Sequence, residues 1–363
     1  MWNVAWRIIV CAVLLAWIFH AIFSNEAQLA AKEQGIDWRA LSKPEQWKLA
    51  WKLGPTELWH TLASVKPLAF GLSLGFVGLI IILGVLRWRM ALEVQGLHLP
   101  IGRALEISLV AHFFNSFLLG SSGGDLMKAY YAARETHHKK AEAVTTVFVD
   151  RLLGLWSMLF FAAVMMLPNR ALLWEHERLG ATALLILALL GGCTLVLMLA
   201  FWGGVSKIMP GARGWIRRLP KGELIERVLL SCRQFGPSRG FLLKAFILSM
   251  AINAACVFQV MALSRGLSLE IAPTVLFVIV PIIYCISALP ITPSGLGVRE
   301  NLFVLMLAVP EIAVPATPAL SLSLLVYAGG LFWSIVGGIV YLCLKDRQHL
   351  EEITQAEPVA DNI

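Results

Sequence analysis

Four apolar runs, at residues 8–23, 67–86, 181–202 and 318–344, constrain this chain more than any other feature. Each approaches the ~20 residues with which an α-helix crosses the ~30 Å hydrocarbon core of a bilayer. The rest of the chain agrees with them: of 363 residues, 58% are hydrophobic and 15% charged, and the mean hydropathy is +0.74. A soluble domain of that length exposes far more charge. The sequence therefore predicts an all-α, polytopic membrane helix bundle with about 7–9 transmembrane helices, spaced by the bilayer requirement. Residues 1–344 read as a single integral membrane domain, and 345–363 as a polar tail.

The first run reads as a retained anchor, because its positive region holds Arg7 alone and no small-x-small site follows it. The cysteines, Cys11, Cys193, Cys232, Cys256, Cys285 and Cys343, show no CxxC spacing and mostly sit within apolar runs. Cysteine there is a small hydrophobe. Neither a disulfide framework, nor a metal site, nor another cofactor is expected. The "WEHERL" stretch at 174–179 and the pair His137–His138 lack metal-ligand spacing, and no Walker loop, G-x-G-x-x-G or G-x-S-x-G occurs.

Net charge is +7, and much of it lies in one place. The stretch 203–241 carries Lys207, Arg213, Arg217, Arg218, Lys221, Arg227, Arg233 and Arg239 against Glu223 and Glu226. Basic loops stay on the cytoplasmic side, so this stretch orients the chain and predicts a bacterial cytoplasmic (inner) membrane protein with both termini cytoplasmic. Within it, 223–235 reads as an amphipathic helix on the inner surface. Such juxtamembrane clusters meet anionic lipid headgroups, and nucleic acid is not an expected partner. Residues 24–66 form an outer segment in which Trp47 and Trp51 share a helix face, the pattern of an interfacial anchor.

Charge also exposes a conflict. Arg87, Arg89 and Arg103 mark one cytoplasmic loop and Arg134, Lys139 and Lys140 another, yet the apolar run 104–119 lies between them. A single crossing would strand one patch outside. A re-entrant hairpin satisfies both, with its tip at "GSSGGD", residues 120–125. A second interrupted helix follows: 273–289 is apolar, "PITPSGLGVRE" at 290–300 breaks it, and 301–309 resumes. Its flanks are poor in lysine and arginine, which points to entry from the opposite face. Two re-entrant pairs of opposite sense suggest an inverted repeat around a midplane site. Two full spans joined by a short loop at 290–299 satisfy the charge count equally.

The ionisable residues of these segments come as neighbours of opposite sign: Asp125 with Lys128, Asp150 with Arg151, Arg299 with Glu300. The set sums to zero. Charges at membrane depth are costly and mark functional sites, and glycine-rich breaks leave backbone N–H groups at helix N-termini, which suit a phosphate. His112, Asn115, Asn253 and Gln259 read as interhelical hydrogen bonds that could also serve a ligand.

Four segments, "LRWRMAL" (86–92), "FFNSFLLGSSGGDLMKAYYAAR" (113–134), "VFVDRLLGL" (147–155) and "LPITPSGLGVRENLF" (289–303), resemble a flippase-like integral membrane family. That family includes the transmembrane region of lysylphosphatidylglycerol synthase and stand-alone bacterial and archaeal members. The resemblance implies lipid translocation, and residue by residue it singles out Asn115, Gly123, Gly124, Asp125, Asp150, Arg151, Pro293, Gly295, Gly297 and Glu300. Lys128 and Arg299 join this set on the charge argument. The chain departs from the pattern at Leu119, where proline is usual, and at Lys128, where arginine is usual; lysine lacks the bidentate fork for phosphate. No aminoacyltransferase domain follows Leu344, so synthesis of a lysyl-lipid is not expected.

The leading expectation is thus a flippase for an anionic phospholipid or a polyprenyl-phosphate-linked lipid. Membrane lipids would be its ligands, and enzymes of lipid or glycan synthesis its partners. The alternatives are a lipid-headgroup transferase with Asp125 or Glu300 as base, and a non-catalytic scaffold.

Overall fold

The computed structural model describes residues 40–116, 122–136, 139–169, 177–202, 230–288, 297–309 and 312–343, with scattered residues between 20 and 38. Among these there is no strand. The helices are α1 Lys43–Ser64, α2 Pro67–Val94, α3 Ile101–Asn115, α4 Ser122–Glu135 and α5 Lys140–Met166, then α6 Glu177–Trp202, α7 Arg239–Gly266, α8 Pro273–Ser287, α9 Val298–Leu307 and α10 Ala316–Cys343. Five of the described helices, α2, α5, α6, α7 and α10, are long and apolar enough to cross a membrane. The run 8–23 lies outside the described residues.

Helix starts follow local chemistry. Proline opens α2 and α8, where its missing N–H has no helical partner to lose. Before α1, the Ser42 N–H and hydroxyl both donate to the Glu45 carboxylate, at 2.9 and 2.6 Å. Trp47 and Trp51 then project from one face of α1, both exposed, with ring centroids 6.1 Å apart.

The first predicted hairpin forms. α3 and α4 have 15 and 14 residues, roughly 21–22 Å of helix at 1.5 Å per residue, too short for a ~30 Å core. Their outer ends are tied by Arg103, whose Nε reaches Glu135 Oε1 at 2.7 Å. Their inner ends are tied by the Gly124 N–H, which donates to Asn115 Oδ1 at 2.8 Å. Closure at both ends makes the pair antiparallel. The start of α4 meets the middle of α5, where Asp125 pairs with Arg151 at 3.4 Å. The second short pair is α8 and α9, of 15 and 10 residues, packed on each other.

A long–short–short–long order therefore occurs twice, as α2–α5 and α7–α10, with α6 connecting the two sets. Packing repeats with the order. α2 lies on its counterpart α7; α3 packs on α10 as α8 packs on α5; α4 packs on α5 as α9 packs on α10. α2 and α7 run antiparallel, since Lys66 donates its N–H to Gly266 O while Arg87, further along α2, reaches Ser249, earlier on α7. Two similar sets packed head to tail through equivalent faces are an inverted repeat.

Two expectations change. Arg87 does not open a loop: α2 continues through it to Val94, and the residue is buried. Arg89, about 200° further round the helix, is the outward one and pairs with Glu93 at 3.5 Å. Most of the stretch 203–241 lies outside the described residues, but at the end of the expected amphipathic helix Cys232 and Phe235 are buried against Phe201 and Phe241. That end packs into protein rather than lying on a surface.

Gly124 stands so close to α3 that a Cβ there would collide with the Ala111 carbonyl and lie 2.5 Å from Asn115 Cγ. Gly124→Ala is expected to cost ~1–3 kcal/mol, read as a lowered unfolding midpoint in detergent. Gly102→Ala, which faces open space at the start of α3, is expected to leave the midpoint unchanged.

Candidate functional site

Seven ionisable side chains lie in the bundle as two groups: a network of Arg87 of α2, Asp125 and Lys128 of α4, and Asp150 and Arg151 of α5, and a separate pair, Arg299 and Glu300 of α9. Sequence adjacency predicts their pairing only in part. One oxygen of Asp150 receives Arg87 Nε at 2.8 Å and the other faces Lys128 Nζ at 3.4 Å. Arg151 turns away to Asp125. Consecutive helical residues project ~100° apart, so Asp150 and Arg151 serve different neighbours. Lys128 spans from α4 to α5 by lying over the Trp88 ring, 4.3 Å from its centroid. Arg299 and Glu300 do pair as expected, at 2.8 Å.

Including Arg87 alters the sum. The two groups together hold four cations and three carboxylates, a net +1 that resides in the five-residue network, in place of the zero expected from sequence. Arg87 itself is fully engaged, with Nη1 donating to Ser249 Oγ at 2.8 Å and Nη2 to the Asp150 carbonyl at 3.2 Å. Arg299 is not. It is 93% buried by the complement of its 7% exposure, stacks 4.7 Å from the Tyr327 centroid, and leaves its Nε without a hydrogen-bond partner.

The two tips build their charges differently. Gly123 and Gly124 are buried at the start of α4. At α9, Gly297 adopts φ +81°, a left-handed conformation that favours glycine. Its N–H donates to Glu300 Oε2 at 2.6 Å, so one carboxylate both caps the helix and holds Arg299. Pro293 and Gly295 lie outside the described residues.

Between the two repeats opens a cavity of about 460 Å³. Its wall includes Arg87, Arg151 and Arg299, together with His112, Asn115, Asn253, Gln259, Tyr284 and Tyr327. Asp125, Lys128, Asp150 and Glu300 are not in the wall; the carboxylates stand behind the arginines they hold. Among the described residues, no carboxylate lines this space. Two of the remaining polar groups tie helices, His112 Nε2 bonding Gly330 O at 3.2 Å and Gln259 donating to Val326 O at 3.4 Å, whereas Asn253, expected to bond between helices, donates to Ser249 O of its own helix at 2.9 Å.

Sequence reasoning missed Arg87, Tyr284 and Tyr327 as wall residues. For Arg87 a signal was present: Trp88, Ala91 and Leu92 beyond it are all buried and continue the helix past the arginine.

A multi-pass helical membrane protein with two opposed short hairpins and an arginine-walled cavity between its repeats is the class that fold and site define. The family model for the lysylphosphatidylglycerol synthase transmembrane region matches residues 46–338, and the chain belongs to that family. A UPF0104 membrane protein of Methanothermobacter thermautotrophicus is 25% identical over 293 residues, covering 73% of this chain and 80% of the relative.

Asp150→Asn would leave Arg87 and Lys128 buried against each other without their anion, at an expected cost of ~3–5 kcal/mol. Asp125→Asn breaks a pair whose members are 31% and 44% exposed, and is expected to cost under ~1 kcal/mol. Unfolding midpoints of the two variants in one detergent check the order.

Proposed function

We propose that the protein is a flippase for an anionic lipid, either a phospholipid or a polyprenyl-phosphate-linked lipid. The headgroup passes through the cavity between the repeats while the tails stay in the bilayer. The single observation that carries this reading is the cavity wall: three arginines face the space and their carboxylates stand behind them. In low dielectric an unbalanced positive charge attracts an anion strongly, and the network's excess of one cation is what a headgroup phosphate would neutralise. Arginine forks also match phosphate oxygens.

In this reading Arg151 and Arg299 bind the phosphate, while Asp150 and Lys128 hold Arg87 in place. Asn115, Gly123, Gly124 and Asp125 shape one tip, and Pro293, Gly295, Gly297 and Glu300 shape the other. The inverted repeat supports it further, because two similar halves offer the site to either face in turn. The membrane would be the cytoplasmic one, with the stretch 203–241 and both termini inside.

Flipping of fluorescent phosphatidylglycerol and of a polyprenyl phosphate by the purified chain in proteoliposomes tests the proposal. Each lost charge-assisted contact weakens binding by ~1.5–3 kcal/mol, so Arg151→Ala and Arg299→Ala are each expected to slow flipping roughly tenfold or more. Arg89→Ala, outside the cavity, is expected to flip at the parent rate. Unchanged rates in both cavity variants would sink the assignment, and a covalently altered lipid would replace it with a headgroup transferase.

A further inference from the structure

A second cavity, of about 290 Å³, lies between α5, α6 and α7. Leu153 and Trp156 of α5, Leu197 and Met198 of α6, and Ala245 and Phe246 of α7 form most of its wall. It touches the arginine-walled cavity directly, since Ser157 and Ser249 line both. Neither serine offers a free hydroxyl proton to this second space. Ser157 Oγ donates to Gly154 O at 2.9 Å; Ser249 Oγ donates to Ala245 O at 2.7 Å and accepts from Arg87. The Trp156 indole N–H is likewise taken, by Thr194 Oγ1 at 2.9 Å. A space so lined gives water too few partners to be worth filling. Its outer lip, at Met198 and Trp202, is exposed and apolar, the side on which a bilayer supplies hydrocarbon.

We infer that this apolar cavity holds one hydrocarbon tail of the lipid whose phosphate sits among the arginines, so that the lipid enters sideways between α5, α6 and α7. The inference rests on the lipid reading above. The two cavities form one amphipathic site: a phosphate end with excess positive charge, a partition of two satisfied serines, and an apolar end open toward the membrane. α6 belongs to neither repeat, so among the described residues this route lies on one flank of the bundle. An acyl tail and an isoprenoid tail share the chemistry that the wall recognises.

Photo-crosslinking separates the sources and tests the site. The full chain is reconstituted with phosphatidylglycerol carrying a diazirine on one acyl chain, with a diazirine-bearing polyprenyl phosphate, or with a diazirine diacylglycerol, then irradiated and mapped by mass spectrometry. Adducts are expected on Leu197, Met198 and Phe246 from a phosphate-bearing probe, and the probe that gives them identifies the tail. Excess unlabelled lipid of the same class should reduce these adducts at least about fivefold, and Arg299→Ala should do the same, a change of ~1 kcal/mol in occupancy. Equal labelling by diacylglycerol, unaffected by phospholipid competition, would mark an ordinary boundary lipid and overturn the inference. No adducts in this cavity, with flipping still lost in the arginine variants, would overturn it and leave the flippase reading standing.

Discussion

The Asp150 carboxylate is the interaction on which the rest of the bundle depends. It sits in the middle of α5 and receives two cations from two different elements, Arg87 of α2 and Lys128 of α4. Neither cation would tolerate burial without it. By satisfying both, it pins a short hairpin at depth against two long helices, while Arg151, the next residue round α5, pairs with Asp125. Arg87 then donates from Nη1 to Ser249 on α7. A chain of contacts starting from one acid thus joins the first repeat to the second.

The hairpins solve a backbone problem that full spans do not have. Backbone N–H groups left open at membrane depth need partners inside the protein, and at the starts of α4 and α9 a side chain supplies one. Asn115 accepts from the Gly124 N–H, and Glu300 accepts from the Gly297 N–H. Small residues are needed for opposite reasons. At Gly124 the neighbour leaves no room for a Cβ, whereas at Gly297 there is room but the dihedral is left-handed. Equivalent places in the two repeats therefore carry glycine under different constraints.

Much of this was legible in the sequence because charge and hydropathy act locally. The conflict between Arg103 and the Arg134–Lys140 patch has one economical resolution, and Arg103 bonding Glu135 shows why: the outer ends of the hairpin carry a matching pair. Arg299 and Glu300 pair at the start of α9, where the Glu300 carboxylate reaches back to the Gly297 N–H and Arg299 meets its other oxygen. An arginine after an apolar run usually marks a loop, and that weighed more at Arg87 than the apolar residues beyond it; its partners on α5 and α7 place it in the interior. The crossed pairing of Asp125 and Asp150 was equally out of reach, since it depends on how α4 rotates against α5. Tyr284 and Tyr327 look like ordinary core aromatics until the cavity between repeats is seen. At 232–235 an apolar face fits a lipid surface and a protein surface alike, and here Phe201 and Phe241 claim it.

The two hairpins differ in how their charges are anchored. The acid and base of α4 are both bound to α5, the base through a buried pair and the acid through a half-exposed one. The ion pair of α9 is internal to α9, and the same glutamate caps its first turn. Among the described residues the second hairpin therefore carries its charges as a self-neutralised piece, held to α10 by apolar contacts and by the stack of Arg299 on Tyr327. Of two opposed halves with the same order of helices, one thus keeps its short helix by bonds of charge to a neighbour, and the other keeps its charges to itself.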